Sequence, residues 1–226
     1  IHDPAIYIAG VDGTELLVVP KMERARAERE SRVKEIAALE DLGYRERLRE
    51  YGDAKVAIAD LIVTLVKECR GKKIAIPHSF PSFLAFKLAE HFEIVFANPF
   101  SKLRMIKRGD EIENIRDVAN AVVRAFDWFV GNFKFKTCEE ARKAIETKLF
   151  SQGYLAQDTI VSSGKLSADP HEIGWGKIEE HVIVDVFPRS MEHLYHADFT
   201  RTVFVAENRE IEEMYDAVVE AQEAAI

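Results

Sequence analysis

Two aspartates stand in surroundings suited to strands. Asp185 interrupts the run His181-Val182-Ile183-Val184-Asp185-Val186-Phe187, and Asp198 lies in His196-Ala197-Asp198-Phe199-Thr200-Arg201-Thr202, just ahead of another β-rich stretch. A buried carboxylate is costly unless a cation, a hydrogen-bond donor or a metal ion sits beside it. If Val182 to Phe187 and Thr200 to Ala206 pair as antiparallel neighbours through a long hairpin, the two carboxylates converge from adjacent strands. That arrangement suits a pair of hard or borderline divalent ions, each neutralising charge that would otherwise repel. Spacing alone leaves another reading open, in which Asp185 pairs with Arg189 or Arg201 and Asp198 caps a turn.

A third candidate is His171, in Ser163-Gly164 followed by Asp169-Pro170-His171. A histidine held behind a proline in a glycine-bearing loop can present its ring to a substrate, although an exposed loop histidine fits the same residues. His193, His196 and Asp198 also have the spacing of metal ligands, but they lie on the connection between strands. Tyr154, Trp175 and Tyr195 read either as pocket-lining or as ordinary core and rim aromatics.

The elements that must position these residues follow from periodicity. Ala5 to Ala9 and Leu16 to Val19 read as strands joined across Val11-Asp12-Gly13, where Asp-Gly favours a tight turn. Lys21 to Arg49 mixes both charge signs at helical spacing, as expected of a solvated helix face. Asp53 to Cys69 is amphipathic, Lys73 to Ile76 is a strand, Pro81 to His91 a short helix and Glu93 to Ala97 a strand. This alternation predicts an α/β domain with a partly parallel sheet. A polar, basic stretch from Lys102 to Asp110 marks a boundary, giving domains 1–102 and 103–226.

Beyond the boundary, Ile112, Ile115, Ala119, Val122, Phe126 and Phe129 form one helical stripe. Thr137-x-x-Glu140 is a capping-box pattern for a second helix that stops before Gly153. Strands are predicted at Thr159 to Ser162, Val182 to Phe187 and Thr202 to Ala206, and a last helix opens at Asn208. The second domain is thus α+β.

Composition narrows the function. Lys plus Arg total 31 against 39 Asp plus Glu, a net charge of −8, so no global basic field attracts nucleic acid or an anionic membrane. The apolar run Val56 to Val66 contains Asp60 and is too short to span a bilayer. Cys69 and Cys138 are far apart with no C-x-x-C spacing, which fits a reducing, cytoplasmic setting. The sequence opens at Ile1 rather than Met and stops at Ile226 within a helical pattern, so it reads as cut at both ends.

Taken together, Ser162-Ser163-Gly164, Asp169-Pro170-His171, Val182-Ile183-Val184-Asp185-Val186-Phe187-Pro188-Arg189 and Tyr195-His196-Ala197-Asp198-Phe199-Thr200-Arg201-Thr202 resemble the pita-bread metallopeptidases. That family includes prolidase, Xaa-Pro aminopeptidase, methionine aminopeptidase and creatinase. Leu103-Arg104-Met105-Ile106-Lys107, Glu111-Ile112 and Ile115-Arg116 look like the entry to the catalytic domain of prolidase-like members. The first hundred residues look like the amino-terminal domain of the proline-peptidase branch.

The resemblance implies a creatinase-like α/β amino-terminal domain and an α+β pita-bread domain that is incomplete at its C-terminus. It implies two divalent metal ions (Mn, Co or Zn), with Asp185 as the first ligand and Asp198 as the bridging one. Thr200 is implied to support the metal site, and His171 to contact substrate or stabilise the tetrahedral intermediate. The implied reaction is hydrolysis of the bond before proline in a peptide or dipeptide with proline second, by a homodimer.

The sequence departs from the common pattern. The Asp185-to-Asp198 spacing is two residues longer, Leu194 stands where a Gly often precedes the Tyr, the stretch from His171 to Asp185 is shorter, and Asp185-Val186-Phe187-Pro188-Arg189 replaces the usual Asp-x-Gly. No His follows Asp198, whereas the family draws one His and two Glu ligands from later segments. The expectation is therefore an inactive piece of a proline-specific peptidase. The alternatives are a non-catalytic peptide- or protein-binding module and a creatinase-type amidinohydrolase.

Overall fold

A computed structural model describes residues 5–69 and 71–226. They fall into two compact units divided between Ile106 and Lys107.

In the first unit, β1 (Ile6–Ala9) pairs antiparallel with β2 (Glu15–Val19), Ala9 opposite Glu15. Gly13 takes φ +86° in the turn, a conformation that the Asp-Gly pair makes cheap. The charged stretch is not one helix. It holds α1 (Arg24–Glu30), β3 (Glu35–Ala38) and α2 (Tyr44–Tyr51). The i,i+4 pairs Arg24–Glu28 and Arg26–Glu30, each at 2.9 Å, belong to α1 alone. The strand was hidden because it is only four residues long, with just Ala38 fully buried, and its pairing partner, the parallel β2, is remote in sequence.

The helix α3 (Ala54–Glu68) buries Leu61, Ile62, Val63, Leu65 and Val66. Asp53 caps it by accepting from the backbone of Lys55 and Val56 at 2.7 and 3.1 Å. Asp60, the charge inside the apolar run, meets Arg47 Nε at 2.7 Å. Next come β4 (Lys73–Ile76), α4 (Ser82–Ala89), β5 (Glu93–Phe96), parallel to β4, and α5 (Pro99–Met105), which runs across the position where composition placed the boundary. The strands of this unit form two separate sheets: β1-β2-β3, with one antiparallel and one parallel pairing, and the parallel pair β4-β5 that the alternation predicts.

In the second unit, α6 (Gly109–Gly131) and α7 (Cys138–Phe150) pack on a sheet ordered β10-β8-β7. Thr137 caps α7 with its side chain, accepting from Glu140 N at 3.3 Å. The Glu140 carboxylate reaches Lys136 N rather than Thr137 N, so the box is displaced by one residue. The strands are β6 (Tyr154–Leu155), β7 (Ile160–Ser163), β8 (His181–Val186), β9 (Arg189–Ser190) and β10 (Phe199–Phe204), followed by α8 (Arg209–Ala225).

Burial along β8 alternates strictly. Val182, Val184 and Val186 enter a core with Val118, Val122, Phe129, Ile145 and Leu149. Each large apolar side chain so buried stabilises the fold by about 1.5–3 kcal/mol. His181, Ile183 and Asp185 point to the opposite, half-open face. Among the described residues no helix is long and apolar enough to cross a membrane, and both cysteines are free thiols.

Candidate metal centre

The site is built on the β8/β10 hairpin. Its ladder sets Phe204 opposite His181 and Thr200 opposite Asp185, and ends at Phe199 opposite Val186. The same register continues beyond the strands: Ala197 N donates to Pro188 O at 3.1 Å, and His196 bridges Arg189. Asp198 therefore stands across from Phe187, on a stretch where side chains still alternate.

Phe199 turns to the core, packing on Phe126 with ring centroids 5.1 Å apart. Asp198 and Thr200, on either side of it, take the other face, the one that carries Asp185. Diagonal neighbours on one face lie about 7–8 Å apart at Cα and closer at the side chains. The register thus sets the two aspartates on one face, on a diagonal two residues apart along the ladder rather than directly opposed.

The partner of Asp185 is a hydroxyl. Thr200 Oγ1 donates to Asp185 Oδ1 at 2.7 Å, which leaves the second carboxylate oxygen available. Asp185 is half-buried, because β8 presents one face to the core and Asp185 is on the other. Its cost of burial is correspondingly small. Among the described residues neither Arg189 nor Arg201 forms an ion pair with it. Arg201 instead donates to Thr200 O at 2.7 Å and stacks over Phe199. Asp198 is exposed, and its carboxylate makes no hydrogen bond among the described residues. A strand-borne pair of oxygen donors with free lone pairs on an open face fits hard divalent ions. These are two donors: among the described residues no three His, Cys, Asp or Glu side chains are grouped to hold a metal.

His171 is carried separately, on the loop between β7 and β8. Asp169 Oδ1 accepts from His171 N at 3.2 Å, a local turn that shapes the backbone around Pro170. The loop then returns along the free edge of β7, where Val161 N donates to Ile173 O at 3.1 Å. His171 is exposed and, among the described residues, forms no hydrogen bond or ion pair with Asp185, Asp198 or Thr200.

Two features that fix this loop were not evident from sequence. Arg142 of α7 donates to the carbonyls of Ile173 and Gly174, and Gly174, at φ +76°, lies where a Cβ would come within 2.0 Å of Val161 O. The Ser163-Gly164 motif anchors the loop's start. Ser163 Oγ accepts from Glu179 N at 2.8 Å and donates to His181 O. Ser167 Oγ donates to Gly164 O at 2.7 Å and so accepts from His181 Nε2 at 2.8 Å, which fixes the ring's protonated nitrogen.

The long connection between the aspartates is a closed hairpin turn rather than a loop. Ser190 N donates to Tyr195 O at 3.0 Å, enclosing Met191 to Leu194. Leu194 takes φ +66°, the left-handed conformation that favours glycine. His193 does not join Asp198: its Nε2 meets Asp117 Oδ2 of α6 at 3.2 Å, and its Nδ1 accepts from Tyr195 N at 3.3 Å. The turn swings its side chain toward the helix, away from the carboxylate face. His196 is exposed on the carboxylate face, two residues nearer the turn than Asp198.

Tyr154 OH also donates to Asp117 Oδ2, at 2.8 Å, and Tyr195 OH donates to Glu111 Oε1 at 2.8 Å. Hydrogen bonds from Tyr154 and then His193 hold the Asp117 carboxyl below its ordinary range. The backbone N–H of Arg108 and then Tyr195 do the same for Glu111. Tyr154 and Tyr195 are therefore anchoring aromatics, while Trp175 is exposed.

Known proteins resemble this chain in sequence and in fold. An uncharacterized peptidase of Methanocaldococcus jannaschii is 30% identical over 137 residues, covering 58% of this chain and 39% of that protein. A Xaa-Pro dipeptidase of Pyrococcus furiosus is 33% identical over 129 residues, covering 55% and 37%. The solved Xaa-Pro dipeptidase from Bacillus anthracis superposes with a TM-score of 0.78 at 22% identity, covering 98% of this chain and 61% of that one, a likeness of fold. The chain thus spans about two fifths of the length of these curated relatives. The profile of metallopeptidase family M24 matches residues 113–226, the half that carries the paired aspartates, and the chain belongs to that family.

Proposed function

We propose that this chain forms part of a peptidase that binds two divalent ions through Asp185 and Asp198 and hydrolyses the peptide bond preceding proline. The observation that carries the reading is the placement of both carboxylates on one open face of the β8/β10 hairpin, with Thr200 bonded to Asp185. Bound Mn²⁺, Co²⁺ or Zn²⁺ would supply Lewis acidity and an acidic water. The protein's own residues have defined parts. Asp185 and Asp198 supply oxygen donors, Thr200 orients Asp185, and His171 reaches substrate from its anchored loop. The proline preference is supported by the resemblance to Xaa-Pro dipeptidases.

Two carboxylates supply only part of the roughly four to six ligand positions that each such ion fills. Residues 1–226 should therefore bind metal weakly and hydrolyse Ala-Pro or Gly-Pro slowly at best. The decisive test is Mn²⁺ titration of isotope-labelled protein. Paramagnetic broadening should begin at the amides of Asp185 and Asp198 and be lost in Asp185→Asn and Asp198→Asn. Broadening that ignores both substitutions refutes the reading. Enzyme-like turnover by residues 1–226 in added Mn²⁺ would show that two carboxylates suffice.

A further inference from the structure

Asp198 sits just outside β10, at the end of a strand that must hold its carboxylate in place. The neighbouring turn, closed by Ser190 N donating to Tyr195 O at 3.0 Å, is tied to α6 by side-chain bonds from His193 to Asp117 and from Tyr195 to Glu111. One stripe of that helix, Val118, Ala121, Val122, Ala125 and Phe129, is buried in the core, so its side chains start from a rigid base. Asp117 projects next to this stripe and accepts two hydrogen bonds on one oxygen, from Tyr154 OH at 2.8 Å and from His193 Nε2 at 3.2 Å.

The imidazole acts as a two-ended strut. Its Nδ1 takes the Tyr195 N–H at 3.3 Å, so in the neutral ring Nε2 carries the proton given to Asp117. Ser190 Oγ accepts from Glu192 N and His193 N at 3.2 and 3.3 Å, fixing the opposite side of the turn. Leu194 lies between these anchors in the left-handed conformation, one that a non-glycine residue keeps only where its surroundings over-determine it. From Tyr195 the register runs through His196 and Ala197 directly to Asp198.

We propose that Asp117, acting through His193, is a positioning residue for the Asp198 carboxylate. This rests on the metal reading above for its consequence, and on the hairpin contacts alone for its mechanism. With Asp117 removed, the strut loses its helix anchor, the turn opens, and the 196–198 segment no longer holds Asp198 at a fixed diagonal from Asp185.

The experiment uses the whole 226-residue chain, with Mn²⁺ alone as the probe. Asp117→Ala should leave the far-UV circular dichroism and the exchange protection of α7 unchanged. It should speed amide exchange at Tyr195 and Ala197 roughly tenfold. It should also raise the Mn²⁺ concentration needed to broaden Asp198 by roughly tenfold. His193→Gln, which keeps a donor for Asp117 and an acceptor for Tyr195 N, should recover most of both effects seen in His193→Leu.

If Asp117→Ala speeds exchange but leaves the Mn²⁺ midpoint unchanged, the contact is only structural and the proposal fails. If exchange at 195–198 is unchanged, no strut exists and it fails equally. If wild-type protein shows no Mn²⁺ effect at Asp185 or Asp198, the metal reading falls. Positioning is then decided by whether the Asp198 and Phe199 amide shifts move in Asp117→Ala. Should that variant not fold, Tyr154→Phe and the His193 pair carry the same comparison.

Discussion

Leu194 is 56% exposed and holds φ +66°, so its side chain gains little from packing while its backbone bears the cost of the left-handed region. That cost is about 1–2 kcal/mol for an L-residue, part of which glycine gives back as chain entropy. Leu194→Gly should therefore stabilise the protein by about 0.5–1 kcal/mol, read as a higher denaturant midpoint with unchanged slope. Asp117 gives a pH-dependent counterpart. Its folded pKa is lowered, so its contribution is full above the unfolded value near pH 4 and is lost as pH falls through the folded value. The side chain is 48% exposed, which limits the effect to about 0.5 kcal/mol or less. The stability difference between wild type and Asp117→Asn should accordingly shrink on acidification from pH 6 to pH 3. At this scale Asp185 and Asp198 stood out as charges in and beside β-rich runs, and Thr200 only through the family resemblance; the face each takes follows from the β8/β10 register. The partner of His193 was not, because a hairpin turn and a helix more than 70 positions away had to meet first.

At the scale of elements, the β7–β8 loop depends on contacts invisible to any local pattern. Gly174 combines a positive φ with a Cβ position 2.0 Å from Val161 O, so no side chain fits without moving β7 or the loop. Gly174→Ala should cost at least about 2–3 kcal/mol in thermal or chemical unfolding. Arg142→Met keeps the aliphatic stem but removes the donors to Ile173 O and Gly174 O. It should loosen the loop that carries His171, seen as faster exchange at Val161, whose N–H is bonded to Ile173, while α7 keeps its protection. Long periodic helices such as α6 were readable because their stripe is a property of the segment alone. The four-residue β3 was not, since a short strand amid charges is defined by its neighbour β2.

Across the whole molecule, the buried clusters stay within their own units. Leu61 and Leu65 pack with Val18 and Leu39, while Phe129 packs with Val122, Ile145 and Val184. Leu61→Ala should cost about 2–5 kcal/mol and Phe129→Ala about 3–5 kcal/mol, each felt in its own core. Hydrogen exchange should locate the first loss within residues 5–106 and the second within 107–226. Exchange that rises equally in both units for either variant would mean that they unfold as one.

The sequence by itself determined the local periods: which residues alternate on β8 and β10, which stripe of α6 is apolar, and which side chains could serve as oxygen donors. These depend only on the 2-residue and 3.6-residue repeats of the backbone. The tertiary structure alone decided the partners. It gave Asp185 a hydroxyl rather than an arginine, sent His193 to Asp117 rather than to Asp198, and tied the His171 loop to Arg142. The physical reason is that a hydrogen bond needs two groups within about 3 Å. Groups 15 to 76 positions apart reach that distance only after the strands have chosen their register and the helices have packed on them.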